Sequence, residues 1–116
     1  MKDQFTRGMK DHEWDVGGGK GGANITYLLA SEDVAAKAKI TEYRAIRLDK
    51  GAWCGWHEVK SKVECWYIAA GEGVYKSDLS EFPVHAGDTV SRDKGGFQSL
   101  KNTGDGDLTY VAITID

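Results

Sequence analysis

From Tyr43 onward, short apolar-rich runs alternate with turn residues every eight to twelve positions or so, and that cadence leaves few folds open. The sequence predicts Tyr43–Leu48 stopping at Asp49-Lys50-Gly51, and Trp53–Glu58 stopping near Lys60-Ser61-Lys62. Glu64–Ala70 ends at Gly71-Glu72-Gly73, and Val74–Ser77 at Asp78-Leu79-Ser80. Phe82–His85 ends at Ala86-Gly87-Asp88, and Thr89–Arg92 at Asp93-Lys94-Gly95-Gly96. Phe97–Asn102 runs into Gly104-Asp105-Gly106-Asp107 before a closing strand, Leu108–Ile115. Fifteen glycines against a single proline fit many tight turns. Such a chain is an all-β sandwich or barrel, and periodicity does not choose between them.

Ahead of this region, Asn24–Leu29 has the composition of a strand, and Ser31-Glu32-Asp33 could cap one helical turn through Val34-Ala35-Ala36. Residues 1–20 are polar and contain Gly17-Gly18-Gly19, predicting an N-terminal arm or a loosely held strand ahead of one domain over 21–116. The glycine run has neither the Lys-Ser/Thr ending of a phosphate-binding loop nor dinucleotide-fingerprint spacing, so a flexible lead-in is the expectation. Fifteen basic and eighteen acidic residues give a net charge of −3 without a basic patch, which argues against nucleic acid as partner. No run reaches the roughly 20 apolar residues of a membrane span. The opening Met1-Lys2-Asp3-Gln4-Phe5 lacks a signal-peptide core, and two cysteines are too few for a disulfide framework. The expectation is a cytoplasmic protein with no membrane partner.

One stretch carries ligand-type residues at fixed spacing: Gly51, His57, Val59, Glu64 and Gly71. A second runs from Gly87-Asp88-Thr89 through Gln98 to Asn102-Thr103-Gly104. The first resembles the first motif of the cupin barrels, with Val59 in place of that motif's second histidine. The second is similar to the cupin second motif, with Gln98 in place of its histidine. The likeness covers about residues 40–115, and Glu64-x2-Tyr67-Ile68-x2-Gly71-Glu72-Gly73 extends it through the strand and turn after the glutamate. It implies a double-stranded β-helix barrel of the small single-domain type, a homodimer, and a degenerate metal site at His57, Glu64 and Gln98. Cupins host many activities, so function rests on the site.

Side chains alternate along a strand, which puts Trp53, Gly55, His57 and Val59 on one face and Glu64, Trp66 and Ile68 on another. A hairpin pairing Val59 with Glu64 would set His57 against Trp66, with all of these inside the barrel and His57 within reach of Glu64. One imidazole, one carboxylate and one amide oxygen are a poor set for iron or zinc; a hard divalent ion could sit weakly on Glu64, Gln98 and water. Without metal, Glu64 could orient His57 as a general acid/base for isomerase, epimerase or lyase chemistry on a small polar substrate. Trp53 and Trp66 could stack on a ligand or simply fill the core, and Gln98 would complete the cluster. Arg44 could reach an anionic substrate, although its place near a strand end favours the surface. His12 and His85 have no motif spacing. By parity, Cys54 and Cys65 face away from the pocket as free thiols, about 14 Å apart in the hairpin register. The expected function is small-molecule binding with possible metal-independent turnover. The alternatives are a divalent-metal enzyme using His57, Glu64 and Gln98, or a non-catalytic ligand sensor or assembly protein.

Overall fold

A computed structural model describes residues 9–29 and 39–116; the helical turn expected at Ser31–Ala36 lies outside them. Ten strands follow in order: β1 Met9–Trp14, β2 Gly22–Leu29, β3 Ile40–Leu48, β4 Trp53–Glu58, β5 Val63–Ala70, β6 Glu72–Ser77, β7 Glu81–His85, β8 Thr89–Asp93, β9 Phe97–Asn102 and β10 Leu108–Ile115. Every strand expected from the turn spacing is present. All pairings are antiparallel, in a six-stranded sheet ordered β1-β2-β3-β10-β5-β8 and a four-stranded sheet ordered β4-β9-β6-β7. The two sheets bury one face each against the other in the double-stranded β-helix arrangement.

Alternation decides what goes inside. Along β10, Leu108, Tyr110 and Ala112 are buried and the residues between them are not. β10 carries these into rows across the sheet: Arg44–Ala112–Trp66 and Ile46–Tyr110–Ile68, each spanning β3, β10 and β5. Ala112 has the smallest inward side chain of the six, and it leaves space between Arg44 and Trp66. Trp66 fills much of the interior, with ring contacts to Tyr110 at 5.2 Å and Tyr75 at 6.0 Å. Truncating a buried tryptophan of this kind costs about 3–5 kcal/mol.

Two expectations are corrected. β4 and β5 are not a hairpin: β4 pairs with β9 in one sheet, and β5 with β10 and β8 in the other. The link through Lys60-Ser61-Lys62 therefore crosses between sheets. Its backbone groups are met by the β8–β9 turn, where Val59 N–H donates to Gly96 O, Gly95 N–H to Val59 O, and Lys94 N–H to Lys62 O. His57 consequently pairs with Gln98, and Trp66 with Ala112 and Val90, in place of the expected His57–Trp66 and Val59–Glu64 strand pairs, although the His57 and Trp66 rings still meet across the interior at 6.0 Å.

The glycine run is the second correction. Residues 9–14 form an edge strand paired with β2, and Val16–Gly18 makes a 3-10 turn that packs on β4. This turn is pinned, with Asp15 N–H donating to Gly21 O at 3.0 Å, Gly21 N–H to Asp15 Oδ1 at 3.1 Å, and Lys20 and Trp53 exchanging backbone bonds at 3.0 and 2.8 Å. It sits so low that a Cβ on Gly55 would run into the backbone of Gly17, Gly18 and Gly19. Gly19 and Gly55 are there because two backbones touch, and Gly17 and Gly18 because the turn takes φ of 60° and 80°.

Candidate functional site

Between the sheets lies a cavity of about 310 Å³. Its floor and walls come from Arg44 and Ile46 on β3, Glu64 and Trp66 on β5, and Tyr110 on β10; its far side comes from Cys54 and His57 on β4 and from Val16 and Gly17 in the turn. The structure thus brings together His57, Glu64, Trp66 and Arg44. The surface position favoured for Arg44 is overturned: its side chain is 19 % exposed and points at the cavity, because it shares the inward parity of Ile46 and Leu48.

A β-bulge sets the β4 side. Cys54 pairs with Leu100 and His57 with Gln98, so three steps along β4 match two along β9. Trp56 is thrown outward, where its ring stacks on Phe97 at 5.7 Å beneath the Lys76 ammonium. Cys54 and His57 therefore face inward together, and the parity expectation that turned Cys54 away from the pocket fails. Trp53 leaves the cavity for the same reason: it adjoins the inward Cys54, so it takes the other face of β4. Cys54 and Cys65 are both free thiols, as expected, but only Cys65 lies outside the cavity wall.

The polar groups are held in a definite pattern. His57 Nδ1 lies 2.8 Å from Gly55 O and 3.9 Å from Cys54 Sγ. A carbonyl can only accept, so Nδ1 carries the proton and Nε2 is left for a ligand. Glu64 Oε1 accepts from Trp66 Nε1 at 2.8 Å and lies 3.8 Å from Arg44 Nη2. The carboxylate is thus fixed by Trp66 and faced by Arg44, and His57 is fixed by the bulge carbonyl; Glu64 and His57 do not form the hydrogen-bonded pair that the hairpin register implied. At 3.8 Å the Arg44–Glu64 pair is longer than a charge-assisted hydrogen bond, and Arg44 Nε has no partner among the described residues. Gln98 is fully buried behind His57, with Oε1 accepting from the Tyr75 hydroxyl at 2.8 Å and Nε2 unpartnered.

Two of the lining groups, Cys54 and Tyr110, are buried. Burial pushes the Cys54 thiol up to about 11, and burial followed by the neighbouring Cys54 raises the Tyr110 phenol well above its ordinary value. Both groups are neutral near pH 7. Tyr110 and Cys54 were missed in the sequence. Tyr110 was available from its spacing to Leu108 and Ala112, and Cys54 from Gly55, since a glycine inside a strand marks a bulge or a close backbone approach.

The residues do not fit a resident transition metal. Gln98 Oε1 already accepts from Tyr75 and Glu64 Oε1 from Trp66, so His57 Nε2 and Glu64 Oε2 are the uncommitted donors, and the position between the motif's histidine and glutamate is the buried, apolar Val59. Among the described residues no three His, Cys, Asp or Glu side chains come together to hold an ion. A larger groove of about 400 Å³ runs between the edges of β7 and β8. Its arginine, Arg92, is already held by both oxygens of Asp78 at 2.9 Å. No helix among the described residues is long and apolar enough to cross a membrane.

This fold and motif pattern define a cupin, and the chain belongs to that family: the cupin domain family matches residues 45–114. The chain is 35 % identical over 98 residues to the oxalate-binding protein of Thermotoga maritima, covering 84 % of this chain and 79 % of that protein. The crystal structure of a predicted oxalate decarboxylase from Thermotoga maritima superposes with a TM-score of 0.86 at 30 % identity, over 99 % of this chain and 98 % of that one. A cupin 2 conserved barrel domain protein from Salinispora arenicola shares the fold, with a TM-score of 0.68 at 24 % identity over 81 % and 76 % of the two chains.

Proposed function

We propose that the cavity binds a small carboxylate-bearing anion of the oxalate class, with Arg44 as the anion-binding group and His57 Nε2 as the proton-bearing or proton-accepting contact. The carrying observation is a mostly buried guanidinium that points into the cavity with Nε unpartnered. Arginine suits a carboxylate because its planar donors match the two oxygens. Glu64 lies too far from Arg44 to occupy those donors and is anchored by Trp66, so it orients the guanidinium without saturating it. The oxalate-binding relative of Thermotoga maritima supports this ligand class.

Any turnover is acid/base chemistry at His57 Nε2, since Nδ1 is committed to Gly55 O. It draws on this chain's own side chains, because one imidazole and one carboxylate are too few donors for a resident transition metal. Titration calorimetry with oxalate tests the reading directly. Arg44→Gln should weaken binding by about 100-fold, the usual scale for removing one partner of a buried charged pair. Wild-type protein giving no saturable heat with oxalate, or Arg44→Gln binding it unchanged, would overturn the assignment. The family resemblance adds a homodimer as a proposal, and the two free cysteines add a cytoplasmic location. Light scattering at twice the 12.7 kDa chain mass tests the first, and cell fractionation the second.

A further inference from the structure

The cavity walls differ in how firmly their chemistry is fixed. Arg44, Glu64, Trp66 and Tyr110 are set by strand register, and each belongs to a row shared by β3, β10 and β5. Altering them disturbs the sheet. Among the described residues, only Val16 and Gly17 reach the cavity from outside the strands. Gly17 cannot carry the variation: it has φ +60°, and a Cβ there would stand 3.3 Å from both His57 Nδ1 and Cys54 Sγ. A side chain at that position would press on the imidazole itself.

Val16 is free of that restriction. It contributes a branched side chain to the cavity and packs, partly buried, against the core cluster. The loop that presents it is anchored at both ends, by the Asp15–Gly21 bonds and by the Lys20–Trp53 pair. Val16 thus stands at a fixed place in the wall, on a turn outside the strand rows that carry Arg44, Glu64, Trp66 and Tyr110. We infer that Val16 is the residue that limits ligand length, setting how far a dicarboxylate can extend from Arg44. The inference rests on the carboxylate reading of the cavity and adds the feature that would favour oxalate over its longer homologues.

Apolar pockets discriminate by about 10-fold or more per methylene, so removing the two methyl groups of Val16 should be legible in affinity ratios. Calorimetric titrations with oxalate, malonate and succinate are run on wild-type protein, Val16→Ala and Val16→Leu, with thermal melts to confirm folding. Wild type should favour oxalate. Val16→Ala should raise the succinate-to-oxalate affinity ratio about 10-fold, and Val16→Leu should lower it. A merely structural role for Val16 would scale all three ligands together and leave the ratio unmoved. If oxalate binds and the ratio is the same in all three proteins, the length-limiting role is wrong while the carboxylate site stands. If none of the three binds wild-type protein, the carboxylate reading falls and takes this inference with it. Should Val16→Leu not fold, the ratio in Val16→Ala alone decides, since that change only removes atoms from a loop.

Discussion

Replacing Asn102 by leucine should destabilise the protein by about 3 kcal/mol while leaving the cavity intact. The side chain is 1 % exposed and sits at the end of β9. Its Nδ2 lies 3.1 Å from Leu48 O, 3.0 Å from Asp49 O and 2.8 Å from Gly106 O, and its Oδ1 accepts from Gly104 N–H at 3.0 Å. A primary amide has two hydrogens, so the three carbonyl contacts amount to two full hydrogen bonds, one of them shared. With the Gly104 bond, three hydrogen bonds at roughly 1 kcal/mol each are lost, and leucine keeps the volume so that no cavity term is added. The residue ties the β3–β4 turn to the β9–β10 turn, four residues along β3 from Arg44 and four along β9 from Gln98. Urea denaturation should show a lower midpoint at unchanged slope, and the melting temperature should fall by about 12 °C for a domain of this size. Asn102→Asp should be worse than leucine near neutral pH, because it turns a carboxylate toward three carbonyl oxygens. A loss below about 1 kcal/mol, or an aspartate variant as stable as wild type, would refute this assignment of the amide.

Stability should also fall at alkaline pH. The Cys54 thiol is raised from 9.0 to about 11 by burial, so its contribution is complete below pH 9 and is lost as pH rises through 11; Tyr110 adds to the loss above pH 10. Cys54→Ala should flatten the fall between pH 9 and 11, and an unchanged slope would count against a neutral buried thiol; for the same reason Cys65 should react with a thiol reagent at pH 8 well before Cys54 does. At the acid end, Arg92 and then the Phe97 N–H hold the Asp78 carboxyl well below the usual range, so its contribution is present above 3.8 and is lost as pH drops below that value. Acid unfolding of Asp78→Asn should show a shallower dependence than wild type, and parallel curves would remove Asp78 from the account. Elemental analysis of protein purified without added metal should give well under one transition-metal ion per chain; a stoichiometric ion would show that the donor set has been misjudged.

The strands were legible because each is bounded by local turn chemistry. Gly51 and Gly71, which closed two of the expected strands, indeed have φ of 78° and 87°. Inward faces were legible where alternation runs unbroken, as for Glu64, Trp66 and Ile68 on β5 and for Ile46 and Leu48 on β3. Which sheet a strand joins was not legible. Alternation reports the face a residue takes and is silent about the strand across from it, so two successive runs joined by three polar residues fit a hairpin as well as a crossing between sheets.

The site failed to show itself in the sequence for a sharper reason, which lies in Gly55. As one residue in a strand, it says only that no side chain is needed there; Gly17-Gly18-Gly19, taken alone, says only that the chain turns. In the folded protein these are the two halves of a single contact, because the turn can settle on β4 only where neither backbone has a Cβ between them. That contact sits on a bulge, and the bulge adds the extra step that turns Cys54 inward beside His57 and sends Trp56 out to Phe97. Counting by twos from Trp53 therefore placed Trp53 in the pocket and Cys54 outside it, the reverse of the fold. The same contact supplies Gly55 O to His57 Nδ1 and brings Val16 to the cavity wall. Bulge, turn and imidazole orientation thus form one arrangement, and a change at Gly55 or Gly19 should be felt at His57 Nε2 although neither residue lines the cavity.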